Sequence, residues 1–191
     1  MPTPKYIEAL SYAAELHTGQ TRKGTSVPYL THLMTVSSYV FEFGGTVDQA
    51  IAGLLHDAIE DQGDRTSYQE IAGRFGEEVS EIVRACTDSE TTPKPPWAER
   101  KAAYLAGLAH KPDAIKLVVA CDKLHNAECI VRDVRLQGAK IWQRFNAAPD
   151  QILWYYEGVV SALGSLESPV VRLLKAKVGE MRSILASDEM S

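Results

Sequence analysis

No run of about 18 apolar residues occurs anywhere in the chain, which excludes a membrane-spanning helix. Cysteine is scarce. Cys86, Cys121 and Cys129 show no Cys-x-x-Cys spacing, and an odd, unpatterned set excludes a disulfide framework. Reduced thiols in a cytoplasm are the expectation. Excess positive charge is also missing: the net charge is −5, against a general nucleic-acid-binding surface. A small anionic ligand needs only a local basic cluster, so that class stays open. The start, Met1-Pro2-Thr3-Pro4-Lys5, lacks the charged and apolar regions of a signal peptide. Alternating strand patterns and internal repeats are absent too. What is present, 191 residues of which 45% are apolar, suits one compact domain over residues 1–191.

The pattern predicts an all-α bundle of about eight to ten helices. Thr3 caps a first helix, with Pro4 at its first position, running to about His17. Thr18 to Pro28 reads as a loop, broken by Gly19, Gly24 and Pro28. A second helix spans about Tyr29 to Phe43 and ends at Gly44-Gly45. Thr46 and Gln49 form a capping box for a third, and Ser67 with Glu70 repeat it for a short helix to Phe75. A further helix covers about Glu77 to Thr87, and Asp88 to Pro96 reads as an internal loop. Helical spacing returns from Trp97 to His110. Ala114 to Val131 is apolar on nearly every side and should be central. Two last helices, about Pro149 to Leu166 and Pro169 to Leu185, close the bundle.

The third helix carries Gly53-Leu54-Leu55-His56-Asp57-Ala58-Ile59-Glu60-Asp61. On a continuous helical wheel, with His56 at zero, Glu60, Asp57 and Asp61 fall near ~40°, ~100° and ~140°. The four polar residues then share one face, with the aliphatics opposite. Glu60 and Asp61 taken alone read equally well as a solvated acidic face. An adjacent His-Asp pair can ligate a metal ion, but one ion needs further ligands.

Asp122 lies within the most apolar helix, where a carboxylate is costly unless paired or metal-bound. A salt bridge to a nearby Lys or Arg is the competing reading. Asn126 shares its face at i+4, and His125, at i+3, reads as a supporting or structural group. His32, just inside the second helix, completes a set of two imidazoles and two carboxylates. That set suits an octahedral divalent ion such as Mn²⁺ or Fe²⁺. Structural zinc fits less well, since no cysteine joins.

His32 … His56-Asp57 … Asp122 resembles the signature of the HD superfamily of metal-dependent phosphohydrolases. The finer motifs resemble the hydrolase domain of RelA/SpoT proteins, particularly the stand-alone small alarmone hydrolases. They are His17-Thr18-Gly19-Gln20-Thr21-Arg22-Lys23, Pro28-Tyr29-Leu30-Thr31-His32, the His56 to Asp61 element, Arg74-Phe75-Gly76, Thr87-Asp88 and Asp122-Lys123-Leu124-His125-Asn126. The resemblance implies an HD-domain bundle that hydrolyses the 3′-pyrophosphate of (p)ppGpp or (p)ppApp with Mn²⁺. It implies that His32, His56, Asp57 and Asp122 hold the metal, and that Glu60 and Asp61 manage the attacking water. Arg22 and Lys23 would pack on the base, Lys101 would contact phosphate, Asn126 the ribose, and Tyr155 would line the pocket. The partner would be a small nucleotide, with neither nucleic acid nor membrane involved. Two departures stand out. Gly24-Thr25-Ser26-Val27 is longer than the turn usual in the long bifunctional enzymes, and Leu33 replaces a common proline. The first lies in the base-reading loop, so guanine and adenine both stay open. At 191 residues there is no room for a synthetase domain. An HD-type nucleotidase, acting on NADPH for instance, and a non-catalytic nucleotide sensor are the competing readings.

Overall fold

The computed structural model describes residues 3–88 and 95–188. The expected loop from Asp88 to Pro96 lies, apart from its ends, outside the described residues. Among the described residues there are ten α-helices and one 3-10 helix, with no strand beyond a lone bridge between Thr21 and Pro28. The order is α1 (Pro4–Leu16), α2 (Leu30–Glu42), α3 (Val47–Leu55), α4 (Ala58–Gln62), α5 (Tyr68–Phe75), α6 (Glu77–Cys86), α7 (Trp97–Leu108), α8 (Asp113–Gln137), the 3-10 segment (Gly138–Arg144), α9 (Pro149–Ala162) and α10 (Pro169–Asp188). None of these helices is long and apolar enough to cross a membrane.

Local chemistry sets the helix starts. Thr3 accepts from the Tyr6 amide, with Pro4 in the first turn, and Thr46 and Gln49 exchange both bonds of a capping box. Ser67 accepts from the Glu70 amide. Gly76, at φ 101°, holds the bend between α5 and α6 in a conformation that side chains resist.

α8 is the axis. It buries Leu117, Val118, Val119, Ala120, Leu124, Ala127 and Val131, and packs on α2, α3, α6, α10 and the 3-10 segment. That polygonal burial explains its apolar surround. It runs to Gln137, past the expected end near Val131, because Val134 still finds apolar neighbours in the core. α2 lies against α3 at close range: a Cβ on Gly53 would stand 3.2 Å from the Ser37 Cα. This close approach sets the His32 helix beside the His56 helix.

The third helix is not continuous. α3 stops at Leu55, His56 and Asp57 form a turn, and α4 begins at Ala58. The cause is local. The His56 ring engages the Gly53 carbonyl at 2.9 Å, the acceptor a regular helix would offer to the Asp57 amide. The wheel drawn across the motif therefore fails at Asp57, although the residues still converge.

Candidate metal centre and nucleotide pocket

Three elements deliver the central residues. His32 comes from the first turn of α2, His56 and Asp57 from the α3–α4 turn, and Asp122 from the middle of α8. His32 is fully buried, His56 nearly so, and Asp122 is 6% exposed. His32 Nε2 lies 3.2 Å from Asp122 Oδ1 and 3.7 Å from Asp57 Oδ2. His56 Nε2 lies 3.0 Å from Asp57 Oδ2 and 3.5 Å from Asp122 Oδ1. Both Nε2 atoms are buried and lack a hydrogen-bond partner. Buried polar atoms are nearly always satisfied, so two orphans facing two carboxylates mark a place for a cation. His32, His56 and Asp57 present ligand atoms within 4.8 Å of one another, a group able to hold a divalent ion. Two imidazoles and carboxylate oxygens, with no thiolate, fit that role.

The second nitrogen of each ring is fixed. His56 Nδ1 donates to the Gly53 carbonyl, which aims Nε2 inward at the carboxylates. His32 Nδ1 lies 2.7 Å from His125 Nδ1. For His32 to present Nε2 as a lone pair, its Nδ1 must donate and His125 must accept. His125 Nε2–H then points to Cys129 Sγ at 3.5 Å. Burial, with His32 and Arg22 nearby, pushes the His125 pKa down to about 3, which keeps it a neutral acceptor. The supporting role read for His125 thus has a definite atom and direction.

The carboxylates are equally constrained. Tyr29 donates to Asp57 Oδ2 at 2.5 Å. Asn126 donates to Asp122 Oδ1 at 2.6 Å, while Lys123 pairs with Oδ2 at 2.6 Å. The salt-bridge reading of Asp122 and its place among the imidazoles are both realised, one on each oxygen. Burial pushes both carboxyls up, but His56 beside Asp57, and Lys123 beside Asp122, more than reverse it and hold them below the usual range. Burial pushes His56 down, yet Asp57 and Asp122 bring it well above an ordinary imidazole. A place so attractive to a proton is also attractive to a metal cation.

Glu60 and Asp61 leave α4 toward different neighbours. Gln20 donates to Asp61 Oδ2 at 2.8 Å, and is itself held by Gln62 at 2.8 Å and His17 at 2.7 Å. Burial, with Asp57 close by, raises the Asp61 pKa. Glu60 lies near enough to Lys101 to favour its charged form. Lys101 and Arg100 pair with the buried Asp88, and Lys101 Nζ stands 4.8 Å from the Tyr155 ring centre. Tyr155 is buried, with its hydroxyl unpartnered.

On the other side of Asp122 opens a cavity of about 750 Å³, lined by Arg22, Lys23, Tyr29, His125, Asn126 and Arg144 among others. Arg22 donates to Asn126 Oδ1 at 2.6 Å and lies over the Tyr29 ring, whereas Lys23 reaches Asn146 at 3.1 Å. Lys101 and Tyr155 do not line this cavity, so the expected substrate residues fall into two groups on either side of the central four. Tyr29, Gln20 and Lys123 were legible only as parts of motifs. Their partners are 28, 41 and 1 residues away, and no spacing rule links the first two.

The HD domain family matches residues 9–153. The chain is 38% identical over 129 residues to the guanosine-3′,5′-bis(diphosphate) 3′-pyrophosphohydrolase MESH1 of Xenopus tropicalis, covering 66% of this chain and 69% of that protein. To the Drosophila melanogaster MESH1 it is 32% identical, covering 74% and 75%. Among solved structures, a metazoan ortholog of SpoT that hydrolyzes ppGpp superposes with a TM-score of 0.77 at 27% identity, over 96% of this chain and 98% of that one. The residues gathered at His32, His56, Asp57 and Asp122, on this all-helical frame and with these relatives, make the chain a member of the HD domain family and a homologue of the MESH1 proteins.

Proposed function

We propose that the protein is an Mn²⁺-dependent 3′-pyrophosphohydrolase of guanosine 3′,5′-bis(diphosphate), with the adenine counterpart ppApp as a second substrate. The observation that carries the reading is the pair of buried, unpartnered Nε2 atoms of His32 and His56, facing Asp57 and Asp122 at the edge of an Arg- and Lys-lined cavity. Its relatives of known activity act on this substrate class. The three free thiols fit a reducing cytoplasm, and the proposed unit of function is one domain spanning the chain.

His32, His56, Asp57 and Asp122 would hold the ion, which supplies Lewis acidity: it lowers the pKa of a water and offsets phosphate charge. Every other part falls to the chain. Asp61, anchored by Gln20 and with a raised pKa, orients the attacking water and accepts its proton. Glu60 supports it from the Lys101 side. The water oxygen attacks the phosphorus on O3′, the O3′–P bond breaks, and the 3′-oxygen leaves, taking up one proton in place of the one that Asp61 accepts and returns to solvent. From ppGpp the products are pyrophosphate and guanosine 5′-diphosphate. Lys101 and Lys123, beside the buried Tyr155, offset charge on the 3′-pyrophosphate under attack. Arg22, Lys23 and Asn126 receive the nucleoside in the cavity.

The test is product analysis with purified protein, Mn²⁺ and ppGpp, ppApp or NADPH. Pyrophosphate release that disappears in His56→Ala and Asp57→Ala supports the proposal. Release of orthophosphate alone points to a nucleotidase, and tight binding without turnover to a sensor.

A further inference from the structure

Three segments supply most of the wall of the nucleotide cavity: the Arg22–Pro28 loop, the outer half of α8, and the 3-10 segment with the residues just after it, with Thr31 of α2 and Tyr156 of α9 completing it. The loop is internally braced. The Arg22 amide donates to the Val27 carbonyl at 2.8 Å, the Thr25 amide to Arg22 at 3.0 Å, and the Tyr29 amide to Gln20 at 2.9 Å. It therefore moves as a unit, and what holds it to the opposite wall fixes the width of the opening.

Arg144, at the end of the 3-10 segment, touches the other two walls. Its Nη1 donates to Asp133 at 2.9 Å and its Nη2 to Gln137 at 2.5 Å, both on α8. The ion pair is mostly buried, with side chains 19% and 17% exposed. Its methylenes and Nε run across Gly24: a Cβ there would lie 2.8 Å from Arg144 Cδ and 2.9 Å from Cγ and Nε. Gly24 also sits at φ 71°, so its lack of a side chain serves both the turn and the crossing arginine. A second tie, Lys23 to Asn146 at 3.1 Å, joins the same two walls.

We infer that Arg144 is a positioning and specificity-determining residue for the nucleotide. Seated over Gly24 and anchored on Asp133 and Gln137, it sets the gap between the Arg22–Pro28 loop and α8 into which the purine enters. The identity of the entering group rests on the function proposed above. Arg144 does not reach the reacting atoms; it acts through the loop that carries Arg22 and Lys23. Its partner Gly24 opens the stretch of the loop that is longer than in the bifunctional enzymes, so the added length is what Arg144 clasps.

Four variants, Arg144→Ala, Arg144→Lys, Gly24→Ala and the Arg144→Ala/Gly24→Ala double, are assayed with ppGpp and ppApp in Mn²⁺. Arg144→Ala and Gly24→Ala should each raise KM roughly tenfold with kcat within about twofold, the pattern of lost binding shared by ground and transition states. Both should narrow the ratio of kcat/KM between the two bases. The double variant should fall short of the product of the two single effects, because both changes disturb one crossing, while the strain an alanine brings at φ 71° remains. Arg144→Lys, which keeps the Asp133 pair and loses the Gln137 bond, should recover part of the KM. Unchanged KM, a fall in kcat alone, or multiplying effects would overturn the inference. Thermal melting checks folding, and if Arg144→Ala does not fold, Gly24→Ala and Arg144→Lys decide. Should wild-type protein release no pyrophosphate, the functional reading fails separately. Equilibrium binding of ppGpp then reads the clasp: weaker binding by the variants supports it, and equal or absent binding overturns it.

Discussion

At the scale of single residues, the chemistry depends on who holds whom. With His32 as a metal ligand, its Nδ1 would donate to His125, so His125→Ala would free the proposed ligand ring to rotate or change tautomer. Such supporting partners are commonly worth about 10–100-fold in metal affinity. Titration with Mn²⁺ by calorimetry should show that loss, and His125→Gln, which keeps an acceptor, should restore part of it. Asp88 offers a different measurement. Burial pushes its carboxyl up, and Lys101 with Arg100 more than reverse this, so it titrates below the ordinary range. A depressed carboxylate stabilises the fold above its unfolded value near ~3.9 and loses that contribution as pH falls through the folded value. Asp88→Asn should therefore lower stability at neutral pH, chiefly by leaving Lys101 and Arg100 without their partner. It should also flatten the acid limb of the melting temperature plotted against pH. A variant as stable as the parent at pH 7 would contradict this. The four central residues could be read from the sequence because polar groups in apolar stretches are conspicuous. Tyr29 on Asp57 and Gln20 on Asp61 could not, since they are ordinary residues until folding supplies the neighbour.

At the scale of elements, helix starts were legible and interruptions were not. Thr3, Thr46 and Ser67 cap where their side chains and spacing say they should. The break at His56-Asp57 was hidden because its cause, a ring bonded to the Gly53 carbonyl, costs the sequence no proline or glycine at the break itself. The 3-10 segment went unrecognised for a similar reason. Gly138 turns the chain at φ 71°, and Ile141 is its one buried residue, too little to show a period. Gly53 has a further duty, since α2 passes so near it. A Cβ there meets the Ser37 Cα at 3.2 Å and amide nitrogen at 3.3 Å, main-chain atoms that cannot rotate away. Gly53→Ala should destabilise by about 1–3 kcal/mol through overpacking. It should also weaken metal binding, because it prises the His32 helix from the His56 turn. Gly158→Ala, facing only the mobile end of Leu105, is the control and should lose less.

At the scale of the whole molecule, the proposed ligands come from α2, the α3–α4 turn and α8, so occupancy reports on the assembled fold. Ligand that binds only the folded state adds about 2.7 kcal/mol at a hundred times its dissociation constant. For a chain of this size that raises the melting temperature by roughly 5–10 °C, at about 2–4 °C per kcal/mol. Scanning calorimetry with Mn²⁺ and then with EDTA should show the rise and its reversal. Asp122→Asn should shrink the rise, and an undiminished one would remove Asp122 from the ligand set. The overall bundle was readable from apolar spacing, above all in α8, whereas the cavity was not, because its walls meet only after residues 22–28 and 138–146 fold back on α8. The wide separation of the proposed ligands bears on how the protein is made. During synthesis, His32, His56 and Asp57 emerge well before Asp122, so a growing chain offers the ion an incomplete grip for some 65 residues of elongation. With Asp122 in the ligand set, metal capture would be a late event in biogenesis, a fastening closed only when α8 arrives, and a truncated product would be left unfastened.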